Sequence, residues 1–234
     1  MRMIFDPVPE GDRQAVYRRF EEEVAGPLEM EHRFEESSER KRVAIMVSRE
    51  DHCLSDLLWR WRSGELGAEI TAVVSNHAEH ADQVGSLGLP FHHVPVEAGA
   101  KQDAERRALE LLGEIDLLVL ARYMQVLSAG FLRDLGAPAI NIHHSFLPAF
   151  VGADPYQRAH ERGVKLIGAT AHYVTEDLDA GPIIDQDVTR VSHRDEVDDL
   201  KRIGRDIERL VLARAVKAHI DDRVLLDGDR TIVF

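Results

Sequence analysis

The chain has 234 residues, of which 42 are acidic and 29 basic, so its formal charge is −13. This charge argues against a nucleic-acid partner, because such binding depends on neutralising phosphates. No apolar run approaches the roughly 20 residues of a membrane helix, and the first residues lack the pattern of a signal peptide. The single cysteine, Cys53, cannot form an internal disulfide, which agrees with a reducing compartment. We therefore expect a cytoplasmic protein with no membrane partner.

The first 41 residues differ in character from the rest of the chain. MRMIF and PLEMEHRF read as strands, and DRQAVYRRFEEEVAG between them reads as an amphipathic helix. The sequence thus predicts a strand–helix–strand segment over residues 1–35 and a polar linker over residues 36–41. A segment of this size would struggle to bury a core alone.

From Arg42 onward, short β-branched runs alternate with helical patterns. Six strands are predicted, by RVAIMVS (42–48), EITAVVSN (69–76), PFHHVPV (90–96), DLLVLARY (116–123), PAINIHHSF (138–146) and LIGATAHYV (166–174). A long amphipathic helix is expected over residues 196–220, and the Asp-Gly of VLLDGDRTIVF indicates a terminal hairpin. The alternation predicts an α/β fold, a doubly wound, mostly parallel sheet with helices on both faces.

Polar side chains collect at the end of the fifth predicted strand. Strand alternation would place Asn141, His143 and Ser145 on one face and His144 on the other. Ligands bind at the carboxyl ends of strands in open α/β sheets, so these residues form a candidate site. The alternative is that they are buried residues satisfied by backbone or water.

A second candidate element is the turn-rich loop TEDLDAGP, which follows His172 at the end of the sixth predicted strand. Its carboxylate Asp179 would belong to the site only if the loop folds back onto His143; otherwise it is solvated or caps the backbone. An amide, an imidazole and a carboxylate together suit attack on an acyl carbon without a covalent intermediate, because the first two stabilise an oxyanion.

Three other kinds of site fit the sequence less well. A serine hydrolase built on Ser145 lacks the G-x-S-x-G elbow. A zinc site among the histidines lacks H-E-x-x-H or paired-cysteine spacing, and adjacent strand residues would point apart. A nucleotide site would need a glycine-rich loop after the first strand, where this chain has VSREDHCLSDLL. We therefore expect neither a metal nor a cofactor.

The run NIHHSFLPAFVGADPYQRAHERGVKLIGATAHYVTEDLDAGPII resembles the folate-dependent formyltransferase family nearly throughout, and the likeness extends over residues 42–234. The resemblance implies a catalytic domain over those residues, with 10-formyltetrahydrofolate as substrate. It also implies a catalytic trio of Asn141, His143 and Asp179. The resemblance places the pterin near ARYMQVL, at Met124, Gln125, Val126 and Leu127, and His144 and His172 could shape the site of the attacking water.

The first loop separates the branches of this family. The glycinamide-ribonucleotide branch carries a glycine- and serine-rich phosphate loop there, whereas this chain has Glu50 and Asp51. Because those carboxylates would repel a phosphate, water is the expected acceptor, and HCLSDLL is similar to the deformylase branch. Two alternatives stay open: transfer of the formyl group to an amine, and a non-catalytic folate-binding regulatory protein.

The resemblance has further implications. Residues 1–35 look like the second half of an ACT domain. The protein is expected to form a homo-oligomer, as family members do, and its activity to balance the one-carbon pool and supply formate to purine synthesis. Relatives commonly carry arginine where this chain has Gln125 and Asp154. We expect these two differences to affect substrate affinity more than chemistry.

Overall fold

A computed structural model describes residues 2–5, 9–35, 39–149 and 154–234. The chain divides into two compact units, Met1–Glu39 and Arg40–Phe234. The boundary lies within the predicted linker, of which residues 36–38 are outside the described part. No helix among the described residues combines the length and the apolar character needed to cross a bilayer.

The first unit is built around one helix. Helix α1 spans Glu10–Phe20 and continues as a π-helical turn over Glu21–Ala25. The ring of Phe34 stacks on Tyr17, with centroids 4.2 Å apart, so the following segment packs back on the helix. The predicted strands MRMIF and PLEMEHRF are wrong for residues 2–5 and 27–34, which form no strand. A strand needs a hydrogen-bonded neighbour, and none of the described residues of this unit pairs with either segment as a strand.

The second unit alternates strands and helices as the sequence predicts. In chain order its elements are β1 (Arg42–Val47), α2 (His52–Arg62), β2 (Glu69–Ser75), α3 (Ala81–Gly85), β3 (Phe91–His93), α4 (Lys101–Leu112), β4 (Leu117–Leu120), α5 (Ala129–Leu135), β5 (Ala139–His143), α6 (Pro155–Arg162), β6 (Leu166–Tyr173), β7 (Ile183–Arg190), α7 (Val197–Ile220), β8 (Val224–Asp227) and β9 (Arg230–Val233). The six predicted strands, the long helix and the terminal hairpin are confirmed.

Strand β7 is absent from the sequence-based prediction. After the two isoleucines at its start, the sequence IIDQDVTR places polar residues on both faces of the strand. Most of its residues are half-buried or exposed. They form a strand because β6 supplies an antiparallel partner along its whole length, from Leu166 opposite Arg190 to His172 opposite Ile183. Pairing therefore decides the structure where side-chain pattern does not.

The seven strands form one sheet in the order β3-β2-β1-β4-β5-β6-β7. Strands β1 to β5 run parallel, and β6 and β7 add an antiparallel edge. Alternate residues of β1 enter two separate cores: Ile45 packs with Leu57 of α2 and Leu212 of α7, and Met46 with Phe131 of α5. The sheet is thus covered on both faces, which confirms the doubly wound α/β architecture.

The chain leaves β1 and β4, which are neighbours, in opposite directions along the sheet. Such a switch point opens a crevice at the carboxyl ends of the strands. The loops after the two strands are joined there, because Ser48 N donates to Arg122 O (3.2 Å) and Met124 N donates to Ser48 Oγ (2.9 Å). The fold therefore presents the loops that follow β1, β4 and β5 at one edge.

Candidate active site

The three predicted catalytic residues come together at the end of β5. Asn141 and His143 belong to β5, and Asp179 lies in the loop between β6 and β7. The loop folds back so that Asp179 Oδ2 lies 3.2 Å from His143 Nδ1, with side chains 9% and 4% exposed. A carboxylate at this position orients the imidazole.

The backbone of the Asp179 loop is held in an uncommon conformation. Asp179 has φ 55°, in the left-handed region, which aspartate adopts more readily than most residues. Two residues later, a Cβ on Gly181 would lie 1.8 Å from Tyr173 O, so only glycine fits. Tyr173 N also donates to Pro182 O at 2.9 Å. The LDAGP sequence therefore positions Asp179 through its backbone.

Asp179 is an anion at neutral pH. His143 lowers the pKa of this carboxyl well below its usual range, against the opposing effect of burial. His172 Nε2 lies farther away, 3.7 Å from Asp179 Oδ1 and beyond hydrogen-bonding distance. Asp179 can therefore hold a water molecule as an acceptor or stabilise an imidazolium at His143.

His172 orients the amide of Asn141. Its Nδ1 lies 2.8 Å from Tyr173 O, a carbonyl that can only accept, so Nδ1 carries a proton. In the tautomer with its proton on Nδ1, Nε2 accepts from Asn141 Nδ2, at 3.3 Å. Because an amide NH₂ has two protons, the second N–H of Asn141 remains available for a substrate oxygen.

The other ring nitrogen of His143, Nε2, is available to bind a ligand. Nε2 is buried and finds no hydrogen-bond partner within the described part of the chain. A buried polar atom without a partner is costly, and a ligand in the cavity would satisfy it. With Nδ1 directed to Asp179, this atom is placed to exchange a proton with a bound molecule.

All nine predicted site residues line a single cavity of about 870 Å³: Met124, Gln125, Val126, Leu127, Asn141, His143, His144, His172 and Asp179. Met124 and Val126 are 55% and 56% exposed. Apolar side chains exposed beside a polar reaction centre are typical of a cleft that binds a flat organic molecule. Asp154 lines the same cavity.

Two details of the NIHHS prediction are wrong. Ser145 is not a lining residue of this cavity, since it is buried and its Oγ donates to Ala149 O at 2.8 Å. His144 lines the cavity beside His143, with ring centroids 5.2 Å apart, although alternation would place them on opposite faces. The reason is that β5 ends at His143, so strand alternation does not extend to His144.

The structure adds a buried group of side chains that sequence reasoning missed, the Glu208 cluster of Glu208, Arg122, His52 and Tyr156, all of which line the cavity. Glu208 is 1% exposed and its Oε2 lies 2.8 Å from His52 Nε2 and 3.3 Å from Arg122 Nε. Tyr156 donates to Glu208 Oε1 at 2.6 Å. Glu208 lies four residues from Gly204 and from Leu212, on the buried face of α7. A carboxylate at such a position in a predicted amphipathic helix is the sequence signal that could have revealed the cluster.

The electrostatics of this group favour charged Glu208 and neutral His144. Burial alone would raise the pKa of Glu208, but His52, Arg122 and Tyr156 together lower it to about 2. Burial first, and the Arg122 charge second, lower the pKa of His144 to about 4. His144 is therefore uncharged at neutral pH, beside the charged Asp179.

One triad among the described residues has ligand atoms close enough for a metal ion, and it overlaps the Glu208 cluster. Single atoms of His52, Cys53 and Glu208 lie within 4.8 Å of one another. The fit to a metal is poor, because the Arg122 guanidinium already balances the carboxylate and burial raises the pKa of the Cys53 thiol, which favours its protonated form. The protein thus compensates Glu208 with its own side chains.

The first loop lies at the rim of the cavity. Glu50 lines it and pairs with Arg205 of α7, at 3.1 Å between Oε2 and Nη2. Asp51 precedes α2, where its Oδ2 accepts from Ser55 Oγ at 3.3 Å. Of the two carboxylates predicted to face an incoming phosphate, only Glu50 lines the cavity.

Comparison with known proteins agrees with this geometry. The profile of the Formyl transferase family matches residues 41–216. The chain is 59% identical over 218 residues to the formyltetrahydrofolate deformylase of Mycobacterium bovis, covering 93% of this chain and 70% of that protein.

Two solved structures extend the comparison. A formyltetrahydrofolate deformylase from Pseudomonas syringae has a TM-score of 0.89 at 50% identity, covering 94% of this chain and 74% of its own. A glycinamide ribonucleotide transformylase from Symbiobacterium toebii has a TM-score of 0.77 at 28% identity, covering 88% of this chain and 98% of its own.

Proposed function

Because the chain belongs to the formyl transferase family, we propose that it hydrolyses 10-formyltetrahydrofolate to tetrahydrofolate and formate. Two relatives, at 59% and 50% identity, carry the name formyltetrahydrofolate deformylase. The observation that carries the proposal is the contact of Asp179 with His143 Nδ1, at 3.2 Å, with the opposite ring nitrogen unpartnered among the described residues at the cavity. That arrangement suits acyl transfer to a small acceptor.

Substrate binding uses the apolar side of the cavity. The pterin would lie against Met124 to Leu127, and the formyl group beside Asn141 and His143, all of which line the cavity. Gln125 offers an amide where relatives commonly have a charge, so the pterin side binds through shape and backbone contacts more than through an ion pair. We expect Gln125 to change the affinity for the folate substrate.

The chemical step assigns one task to each member of the trio. Asp179 holds water that attacks the formyl carbon, and negative charge collects on the formyl oxygen. The free N–H of Asn141 and the imidazolium of His143 stabilise that oxygen. His143 then gives a proton to N10, the bond from carbon to N10 breaks, and formate leaves. Neutral His144 shapes the water site. His172, which orients Asn141, shapes it as well.

The direct test is formate release by the purified protein given 10-formyltetrahydrofolate alone. Asp179→Asn should lower turnover by about two or more orders of magnitude, the scale of a lost acid–base or electrostatic group. Asp227→Asn, an exposed carboxylate of the terminal hairpin, is the matched control. The assigned role of Asp179 would be wrong if the Asp179→Asn variant kept turnover within a few-fold of the unaltered protein and an unchanged circular dichroism spectrum.

We further propose that the released formate supplies purine synthesis and that the reaction balances the one-carbon pool, as the family resemblance implies. The ACT-like character of residues 1–35, the cytoplasmic location, the homo-oligomer and the absence of a cofactor remain predictions from the sequence. Helix α1 supports the ACT-like character, whereas the lack of strand structure over residues 2–5 and 27–34 weighs against it. Sedimentation of the full chain would measure the oligomeric state.

A further inference from the structure

The Glu208 cluster has no task in the proposed chemical step, although its four members line the reaction cavity. We propose that the Glu208 cluster, with His144 in front of it, closes the acceptor side of the cavity and so restricts the formyl acceptor to water. The inference rests on the proposed hydrolysis and names the residues that select its second reactant.

The position of the cluster follows from a row of rings. The His144 ring lies between His143, at 5.2 Å, and Tyr156, at 6.0 Å, measured between centroids. Tyr156 in turn contacts Glu208. The row therefore leads from the reactive imidazole directly into the cluster. With the pterin against Met124 to Leu127, the cluster lines another part of the same cavity, beside the reactive imidazole.

The members of the cluster hold one another in place. Glu208 is 1% exposed and interacts with His52, Arg122 and Tyr156 through its two oxygens. Moving any one of them aside would leave a buried charge or donor without its partner, which is strongly unfavourable. A bulky acceptor therefore cannot open this space by displacing a flexible side chain.

Arg122 is also fixed through its backbone. It has φ 63°, a left-handed conformation that is unfavourable for a long side chain, and its side chain is 12% exposed. The conformation is maintained because its carbonyl accepts from Ser48 N, at 3.2 Å. Strain of this kind persists where the surrounding structure over-determines it, typically at functional sites. Here the strain keeps an arginine in a place where glycine would fit more easily.

The fold itself does not limit the acceptor. A solved relative with this fold is named for glycinamide ribonucleotide, a far larger molecule than water. One fold can host different acceptors when the lining side chains differ, and exclusion is often achieved by filling space. The Glu208 cluster fills space in this cavity and has no task in the proposed chemical step.

The two possible reactions differ only in the nucleophile. In hydrolysis the water oxygen bonds to the formyl carbon, the bond from that carbon to N10 breaks, and N10 gains a proton. Formate is released, and the remaining proton of water goes to solvent. With an amine, its nitrogen bonds to the same carbon and loses one proton while N10 gains one. The ratio of formylated amine to formate therefore measures acceptor choice independently of the overall rate.

The test is that product ratio in the full-length protein given 10-formyltetrahydrofolate and excess glycinamide. Arg122→Gly combined with Glu208→Gln removes the arginine at a φ that glycine tolerates and keeps uncharged hydrogen-bonding atoms for His52 and Tyr156. We expect the amine share of the product to rise by about ten-fold or more over the unaltered protein, the scale of a changed pocket contact. Arg122→Asn, which also tolerates this φ, is the second variant should the double variant not fold.

A matched control removes a second partly buried ion pair outside the cavity, through Arg60→Gln with Asp56→Asn. Its amine share should equal that of the unaltered protein even where turnover falls. An unchanged amine share in a folded Arg122 variant would overturn the inference while formate release by the unaltered protein still supports hydrolysis. Extensive formylation of glycinamide by the unaltered protein, or no formate from it at all, would overturn both.

Discussion

Asp179 Oδ2 lies 3.2 Å from His143 Nδ1, although the whole of strand β6 separates the two residues along the chain. The contact exists because β6 returns antiparallel to β5 and its following loop turns back over the end of β5. A carboxylate and an imidazole brought together in this way act as one unit.

The first prediction concerns that unity. If Asp179 works through His143, His143→Ala and Asp179→Asn should not have additive effects on turnover. We expect each single variant to lose about two or more orders of magnitude, and the double variant to be about as slow as the slower single one. Formate release by the three variants would measure this. Losses that multiply in the double variant would mean that the two residues act independently.

The second prediction concerns the pH dependence of stability. Glu208 has a folded pKa of about 2, below the value of about 4.3 for an unfolded chain. The unfolded state therefore takes up the proton first as the pH falls, so the stabilisation is present above the unfolded pKa and is lost as the pH approaches the folded one. The shift corresponds to about 3 kcal/mol in the free energy of unfolding.

Urea unfolding between about pH 7 and pH 3 would measure this, since the linkage acts through proton uptake. Glu208→Gln should be less stable at neutral pH, and its free energy of unfolding should fall less steeply on acidification than that of the unaltered protein. Asp179 titrates in the same direction in both proteins and cancels in the comparison. Parallel curves would show that the pKa of Glu208 is the same in the folded and unfolded states, which would contradict the prediction.

The third prediction concerns the close approach of Tyr156 to α7. A Cβ on Gly204 would lie 1.9 Å from Tyr156 Oη, so Gly204→Ala should displace the ring and weaken its bond to Glu208. We expect a loss of about 1–3 kcal/mol in the free energy of unfolding, typical of overpacking. In a Tyr156→Ala background the same change should cost little, because the clashing ring is gone. Equal costs in both backgrounds would contradict the clash.

The fourth prediction separates the Asp179 loop from the rest of the fold. A Cβ on Gly181 would lie 1.8 Å from Tyr173 O, a backbone atom that cannot rotate away. Gly181→Ala should therefore shift the loop and reduce formate release by about ten-fold or more through misplacement of Asp179. Gly85→Ala is the control, since nothing lies within 4 Å of its added carbon. Full activity in Gly181→Ala would mean that the loop position is not critical.

Much of the fold could be predicted because buried parallel strands are written as continuous apolar runs. RVAIMV and LLVL are such runs, and both form strands at the centre of the sheet. Strand β7 has no such run and was missed. MRMIF has an apolar pattern yet forms no strand over residues 2–5, because no strand in the described part of the chain pairs with it.

The apolar runs of the amino-acid sequence predict the alternating α/β order, and its resemblance to a known family implies the trio at NIHHS and LDAGP. Which polar groups meet depends on the tertiary structure. Asp179 reaches His143, His144 joins the same cavity because β5 ends one residue earlier, and Glu208 of α7 meets Arg122 from the loop after β4. Such contacts join segments far apart in the chain, and hydrophobic periodicity describes which side of an element is buried without saying which charged groups will face one another across the core.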